Sequence, residues 1–213
     1  MRMNNTRKNK RGRFYGFMRL IARVMTHSVL PIKIINAEFL TVLPPPYIII
    51  SNHKSALDPV VLACAVKKHE VRFLAKKELM SGKLTKWLLG TLLHVIPVDR
   101  HSSDIKALRT SIQKLKEGCV IGIFPEGTRH KNGLMTEIEG GVAIIALRSA
   151  APIIPAFITP KLRFFHKTHV IFGTPIDISD LVGMEISNNI CDLVLARIRE
   201  KYAEIDHEAK LLR

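Results

Sequence analysis

Acidic residues are scarce in this chain. Its 18 aspartates and glutamates stand against 33 lysines and arginines, a formal net charge of +15 over 213 residues. That imbalance points to an anionic partner: a membrane surface, a phosphorylated substrate or a nucleic acid. Cysteine is scarce too. Cys64, Cys119 and Cys191 lie far apart in mainly apolar surroundings, and none belongs to a CxxC pair. An odd, scattered set does not make the disulfide framework of a secreted scaffold, and it suits a reducing cytoplasm. No histidine stands at ligand spacing from these thiols, so they do not form a zinc cluster, and no metal is expected. Long hydrophobic runs are missing as well. No uninterrupted apolar stretch reaches the roughly 18 residues that a spanning helix needs, so the chain is expected to lie on a bilayer rather than cross it. There is neither a repeat nor a linker to a second compact domain. The length suits one α/β domain with a sizeable core.

What the sequence does contain begins with a basic segment. Residues 1–13 carry Arg2, Arg7, Lys8, Lys10, Arg11 and Arg13 and no acid. Phe14, Phe17, Ile21 and Val24 then recur near helical spacing, with Arg19 and Arg23 on another face. A basic amphipathic helix of this kind reads as membrane-surface-like. Packing on the protein core with the arginines in water satisfies the same pattern. A signal peptide fits poorly, because Arg19 and Arg23 interrupt the apolar part and no Ala-x-Ala site follows. Residues 1–43 are expected to form a basic tail and amphipathic membrane-associating region, with the main domain in residues 44–213. The expected location is the cytoplasmic face of the cell membrane, as a peripheral or monotopic protein.

Further along, apolar β-branched runs read as buried strands at Tyr47–Ile50, Val71–Ala75, Val95–Val98, Cys119–Phe124, Ile153–Ile158 and Thr168–Phe172, with Ile32–Ile35 as an edge or surface strand. Between them, helical patterns follow Pro59, Ser103 as an N-cap, Gly141 and Ser187. Ile105, Leu108, Ile112 and Leu115 form the apolar stripe of the second helix, and Gly118 ends it. The apolar stretch Leu79–Leu93 reads as a helix over the sheet or beside an apolar groove. Strands alternating with helices predict an α/β fold: a single domain with a largely parallel or mixed central sheet flanked by helices, preceded by the basic amphipathic N-terminal helical region.

Two strand ends carry the candidate chemistry. Tyr47–Ile50 empties into Ser51-Asn52-His53-Lys54-Ser55-Ala56-Leu57-Asp58-Pro59. Ligands of open α/β sheets sit beyond the carboxyl ends of strands. A histidine there can take and return a proton near neutral pH, and a carboxylate on its far nitrogen fixes the tautomer. Spacing alone leaves a second reading open, in which Asp58 only caps the following helix and His53 is incidental. No serine or cysteine nucleophile is paired with His53, so as a base it would activate a substrate group directly. The second strand end is Phe124-Pro125-Glu126-Gly127-Thr128-Arg129. Arg129 could hold a phosphate through parallel hydrogen bonds, with Glu126 orienting it or a substrate hydroxyl. A surface turn with a local Glu–Arg pair is the alternative.

Together these residues resemble the glycerolipid acyltransferase family. Asn52-His53 followed by Asp58 matches its asparagine-histidine, any four, aspartate signature. Phe124 to Arg129 matches its phosphate-binding signature in full. Ile96-Pro97-Val98-Asp99-Arg100 and Ala151-Pro152-Ile153-Ile154-Pro155 resemble its other two blocks, in family order and with family-like separations. The resemblance covers roughly residues 45–160. It implies transfer of a fatty acyl group from acyl-coenzyme A or acyl carrier protein to the 2-hydroxyl of 1-acyl-sn-glycerol 3-phosphate (lysophosphatidic acid), forming phosphatidic acid. It also implies His53 as general base with Asp58 orienting it, and no cofactor beyond the acyl donor. Glu126, Gly127, Thr128 and Arg129 would bind the phosphate substrate, aided by Arg100, Lys76 and Lys131. Asn52 and Asp99 would support the site. The chain departs from the family at His94, where glycine is common; His94 reads as structural or surface rather than as a second base. Three alternatives stay open: an acyltransferase for glycerol 3-phosphate or another lysophospholipid, a non-catalytic lipid-surface binding protein, and a nucleic-acid binder. The last lacks any recognisable recognition module and is the least favoured.

Overall fold

The protein is described here by a computed structural model, which covers residues 31–66, 69–82, 90, 93–99, 104–126, 138–159 and 168–211. The expected amphipathic helix at the N-terminus, most of the apolar stretch Leu79–Leu93, and the sites at Arg100, Gly127, Thr128, Arg129 and Lys131 lie outside the described residues.

Among the described residues, seven strands form one mixed sheet. They are β1 (Ile32–Ile35), β2 (Tyr47–Ser51), β3 (Val71–Lys76), β4 (Ile96–Val98), β5 (Val120–Ile123), β6 (Ile153–Ile158) and β7 (Thr168–Phe172), in the spatial order β1-β7-β6-β2-β5-β3-β4. The five strands from β6 to β4 run parallel. β7 turns back antiparallel to β6, and β1 lies parallel to β7 at the edge. β2 is central, flanked by β5 and β6, and all five of its residues are buried. A near-continuous Val/Ile run is what a parallel strand covered on both faces requires.

Alternation along β2 sorts two cores. Ile48 and Ile50 face one core with Ile121, Ile123, Ile153 and Phe157. Tyr47 and Ile49 face the other with Val61, Leu62, Phe73 and Ile154. The first core is covered by α2 (Ile105–Lys116), α3 (Gly141–Ser149) and α4 (Asn188–Leu211), the second by α1 (Asp58–Ala65). Burying side chains of this size contributes on the order of 1.5–3 kcal/mol each, so a one-residue slip of β2, which would exchange its two faces, is strongly opposed.

The helices depart from sequence expectation in detail. α2 is capped by Asp104, not Ser103: the Asp104 carboxylate accepts from Ala107 N at 2.8 Å. The stripe on α2 is also rotated. Ala107, Ser111 and Leu115 are its buried residues, Leu108 and Ile112 are partly buried, and Ile105 is 59% exposed. Gly118 ends the helix at φ 80° as expected. α4 begins beside Ser187, whose hydroxyl accepts from Ile190 N. Arg197 ties α4 to the preceding loop through Asp180, with two bonds of 2.6 Å. Gly122 in β5 allows a close approach. A Cβ there would stand 2.4 Å from the Phe73 ring, so only glycine lets that ring lie across the strand.

Candidate active site

The site forms where β2 and β5 end side by side. Asn52 follows β2 directly and is fully buried. Its side chain imitates a strand backbone. Asn52 Nδ2 donates to Ile158 O at 2.9 Å, and Ile158 N donates to Asn52 Oδ1 at 2.7 Å. This reciprocal pair extends the β2–β6 seam past the end of the ladder and fixes the residue that precedes His53. On the other side of the seam, the buried Tyr202 of α4 places its hydroxyl 2.6 Å from Ile50 O and 2.7 Å from Ala156 O. Burial pushes the Tyr202 hydroxyl well above the ordinary phenol range; the bond to Ala156 opposes this and the Glu126 charge reinforces it. The group therefore remains a neutral donor at physiological pH.

His53 and Asp58 meet across the loop. His53 Nδ1 lies 2.9 Å from Asp58 Oδ2, with the histidine side chain 17% exposed and the aspartate fully buried. The same oxygen accepts from Lys54 N at 2.7 Å and Ser55 N at 2.6 Å. Asp58 is the first residue of α1, and the N-cap is Leu57, which has no side-chain cap. The carboxylate turns back onto the loop and His53 rather than onto the free N–H groups of the helix. Three donors converge on Oδ2 alone and hold the loop closed, while the buried Oδ1 has no partner among the described residues. With Nδ1 directed at a carboxylate, the proton belongs on Nδ1, and Nε2 is left with its lone pair.

The other face of His53 is covered by Phe124, the residue after β5. Their rings are 4.3 Å apart and inclined by 26°. Phe73 stands behind Phe124 at 6.0 Å and 14°. Glu126, two residues further on, is 7% exposed. The Lys54 ammonium lies 5.2 Å from the centre of the Phe157 ring.

Beside this constellation opens a cavity of about 800 Å³ between the sheet, α2 and α3. Leu74, Val98, Leu108, Val142 and Ile145 give it apolar walls, and Phe124 and Pro125 form its side toward His53. Lys76, Asp99, Asp104 and Glu139 contribute polar groups to the lining. Asp104 Oδ2 accepts from Asp99 N at 2.6 Å, so the cap of α2 also pins the turn after β4. Those bonds, from Asp99 first and then Ala107, hold the Asp104 carboxyl below its usual range. The expected residues thus fall into three groups. His53, Asp58, Asn52 and Glu126 converge on the ends of β2 and β5. Lys76 and Asp99 line the cavity. Arg100, Gly127, Thr128, Arg129 and Lys131 lie outside the described residues. His94 is no part of the pair. It takes φ 45°, the left-handed conformation that favours glycine, and its Nε2 is 3.7 Å from Glu70.

Phe124, Lys54, Tyr202 and Asp104 are additions to what the sequence singled out as site residues. The run of apolar residues into Phe124 marked a strand end, but not the ring partner. Tyr202 lies 152 residues from Ile50, and the one sequence signal that could have placed it inward is its i, i+4 spacing from Ile198.

Residues 31–159 match the Acyltransferase family model. The chain is 29% identical to the 1-acyl-sn-glycerol-3-phosphate acyltransferase of Streptococcus pneumoniae, over 99% of this chain and 80% of that protein. It is 31% identical to the probable 1-acyl-sn-glycerol-3-phosphate acyltransferase of Mycoplasma genitalium, over 76% of this chain and 69% of that protein. The crystal structure of the 1-acyl-sn-glycerophosphate acyltransferase PlsC from Thermotoga maritima shares the fold, with a TM-score of 0.68 at 22% identity, over 94% of this chain and 83% of that one. A histidine–carboxylate pair at the end of the central strand and a family match spanning that strand lead to one conclusion: the chain belongs to the 1-acyl-sn-glycerol-3-phosphate acyltransferase family.

Proposed function

We propose that this protein transfers a fatty acyl group from acyl-coenzyme A or acyl carrier protein to the 2-hydroxyl of 1-acyl-sn-glycerol 3-phosphate, forming phosphatidic acid. The observation that carries the reading is the His53–Asp58 pair, 2.9 Å apart at a strand end beside an apolar cavity. His53 Nε2 removes the hydroxyl proton as the oxygen attacks the thioester carbonyl. Asp58 holds the tautomer and steadies the imidazolium that forms. The tetrahedral oxyanion collapses, the carbon–sulfur bond breaks, and the thiolate takes the proton back from His53. Backbone N–H groups near Gly127 are the candidates to receive the oxyanion. Arg129 binds the phosphate, with Arg100, Lys76 and Lys131 adding charge and Glu126 and Thr128 completing the turn. Asn52 and Asp99 keep their supporting roles. The cavity between α2 and α3 takes the acyl chain; its volume is within the roughly 300–1,000 Å³ of small-molecule sites.

The protein works at the cytoplasmic face of the membrane as a peripheral or monotopic enzyme. No helix among the described residues is long and apolar enough to cross a membrane, and the net charge of +15 suits an anionic surface. The basic part of residues 1–43 supplies the attachment and residues 44–213 the acyltransferase domain, to whose sheet β1 adds an edge strand. The test is a mass-resolved transfer assay with both donors and with glycerol 3-phosphate, 1-acylglycerol 3-phosphate and choline lysolipid as acceptors. Phosphatidic acid should form from the lysophosphatidate. His53→Ala and Asp58→Asn should lower kcat by ~10²–10⁴-fold, the scale of positioned acid–base catalysis. Full turnover in folded His53→Ala would overturn the base assignment. Product from another acceptor alone would replace the substrate.

A further inference from the structure

We propose that Phe124 is a positioning residue for His53, acting through the face of its ring. This rests on the reading of His53 as the base. The contact is specific: the rings are 4.3 Å apart and inclined by only 26°, so His53 lies across the Phe124 face rather than against its edge. The aspartate fixes one end of the imidazole at Nδ1. A single hydrogen bond still allows the ring to tilt about the Nδ1 contact. The phenyl face removes that freedom and leaves Nε2 directed along the one plane both partners permit.

The platform is itself supported. Phe73 lies 6.0 Å behind Phe124 at 14°, is 1% exposed, and occupies the space that Gly122 leaves open. The line Gly122–Phe73–Phe124–His53 therefore runs from the core to the base. It also has an electronic consequence. The face of an aromatic ring is negative and attracts a cation. His53 becomes cationic only as it takes the substrate proton, so the ring attracts the transition state more than the ground state. Such an interaction raises kcat and leaves acceptor binding alone.

The test compares Phe124→Leu, which keeps apolar bulk but loses the ring, with Phe124→Tyr, which keeps the ring. At saturating acyl donor, Phe124→Leu should lower kcat about 5–10-fold with the KM for the glycerophosphate acceptor within about twofold. Phe124→Tyr should retain most of the turnover. The His53 ring protons, shielded over the phenyl face in wild-type protein, should move downfield in the NMR spectrum of Phe124→Leu. That signal reads the stacking without any assay of turnover. In a His53→Ala background, Phe124→Leu should cause no further loss. If Phe124→Leu does not fold, Phe124→Met serves in its place. Wild-type kcat in a folded ringless variant, or unshifted His53 protons, overturns the proposal while leaving the base assignment standing. Full turnover in His53→Ala removes the base assignment and this proposal with it.

Discussion

Replacing Asn52 by alanine tests whether the geometry of the His53 loop depends on a backbone seam. The residue is fully buried, as is Ile158, its partner. The substitution removes two bonds, of 2.9 Å and 2.7 Å, and strands both the N–H and the C=O of Ile158. A buried polar group left without a partner costs about 1–3 kcal/mol. Two such groups set an upper range near 6 kcal/mol, and water entering the space left by the amide brings the expected loss to about 2–4 kcal/mol. For a chain of this size that is roughly 5–15 °C in Tm. Asn52→Asp sharpens the argument. It keeps an acceptor for Ile158 N but sets an oxygen against Ile158 O and buries a charge, so it should be no more stable than the alanine variant near pH 7. Thermal and urea unfolding measure both. His53 is the next residue, so kcat should also fall in the folded fraction. A Tm within about 2 °C of wild type for Asn52→Ala, or an aspartate variant as stable as wild type, would refute the seam as the anchor of the loop.

Gly122→Ala should be destabilising despite the better strand residue. Its Cβ would stand 2.4 and 2.6 Å from two atoms of the buried Phe73 ring, and overpacking of this kind costs about 1–3 kcal/mol; differential scanning calorimetry should show the loss, and adding Phe73→Leu should return part of it. Asp104→Ala should lower stability at pH 7 by removing the cap of α2 and the bond to Asp99 N. The Asp104 carboxyl is held below its usual range in the folded chain, so its contribution is full above the ordinary aspartate value of 3.8 and fades as pH falls through the lowered folded-state value. The urea midpoints of wild type and variant should therefore converge on acidification, and a gap that stays constant with pH would rule out the ionised cap.

The parts of this protein that were legible in sequence are those whose physics is local. Tyr47–Ile50 and Ile153–Ile158 read as strands because a fully covered parallel sheet needs near-continuous apolar runs, and Thr168–Phe172, antiparallel to β6, by a short apolar run of its own. Those signals give strands but not their order. The seating of β2 between β5 and β6 depends on partners more than 70 residues away, as the pairs Ile48–Ile121 and Ile48–Ile153 show. The phase of α2 failed for a related reason. Its stripe placed Ile105 inward, whereas Ile105 lies in the lining of the open cavity and is exposed, which no periodicity encodes. Ser103 and Asp104 are both good caps by type; Asp104 prevails because its second oxygen also reaches Asp99 N.

The candidate site divides along the same line. His53 and Asp58 are five residues apart, so their meeting could be anticipated, but the choice between a helix cap and a histidine partner depended on where the chain turns. With Leu57 as N-cap, Asp58 falls at the first helical position, and its shortest reach is back to Lys54 N, Ser55 N and His53. The supports of the pair come from elsewhere: Phe124 from the end of β5, Ile158 from β6, Tyr202 from α4. Each meets the loop only because β2 is the central strand, with its end shared between two neighbours. A base on an edge strand would have one such neighbour and one solvated side. The central position therefore does more than bury Ile48–Ile50. It surrounds the His53–Asp58 pair with a fixed seam on one flank and an aromatic wall on the other, which is the arrangement the proposed base would need to keep its geometry through proton transfer.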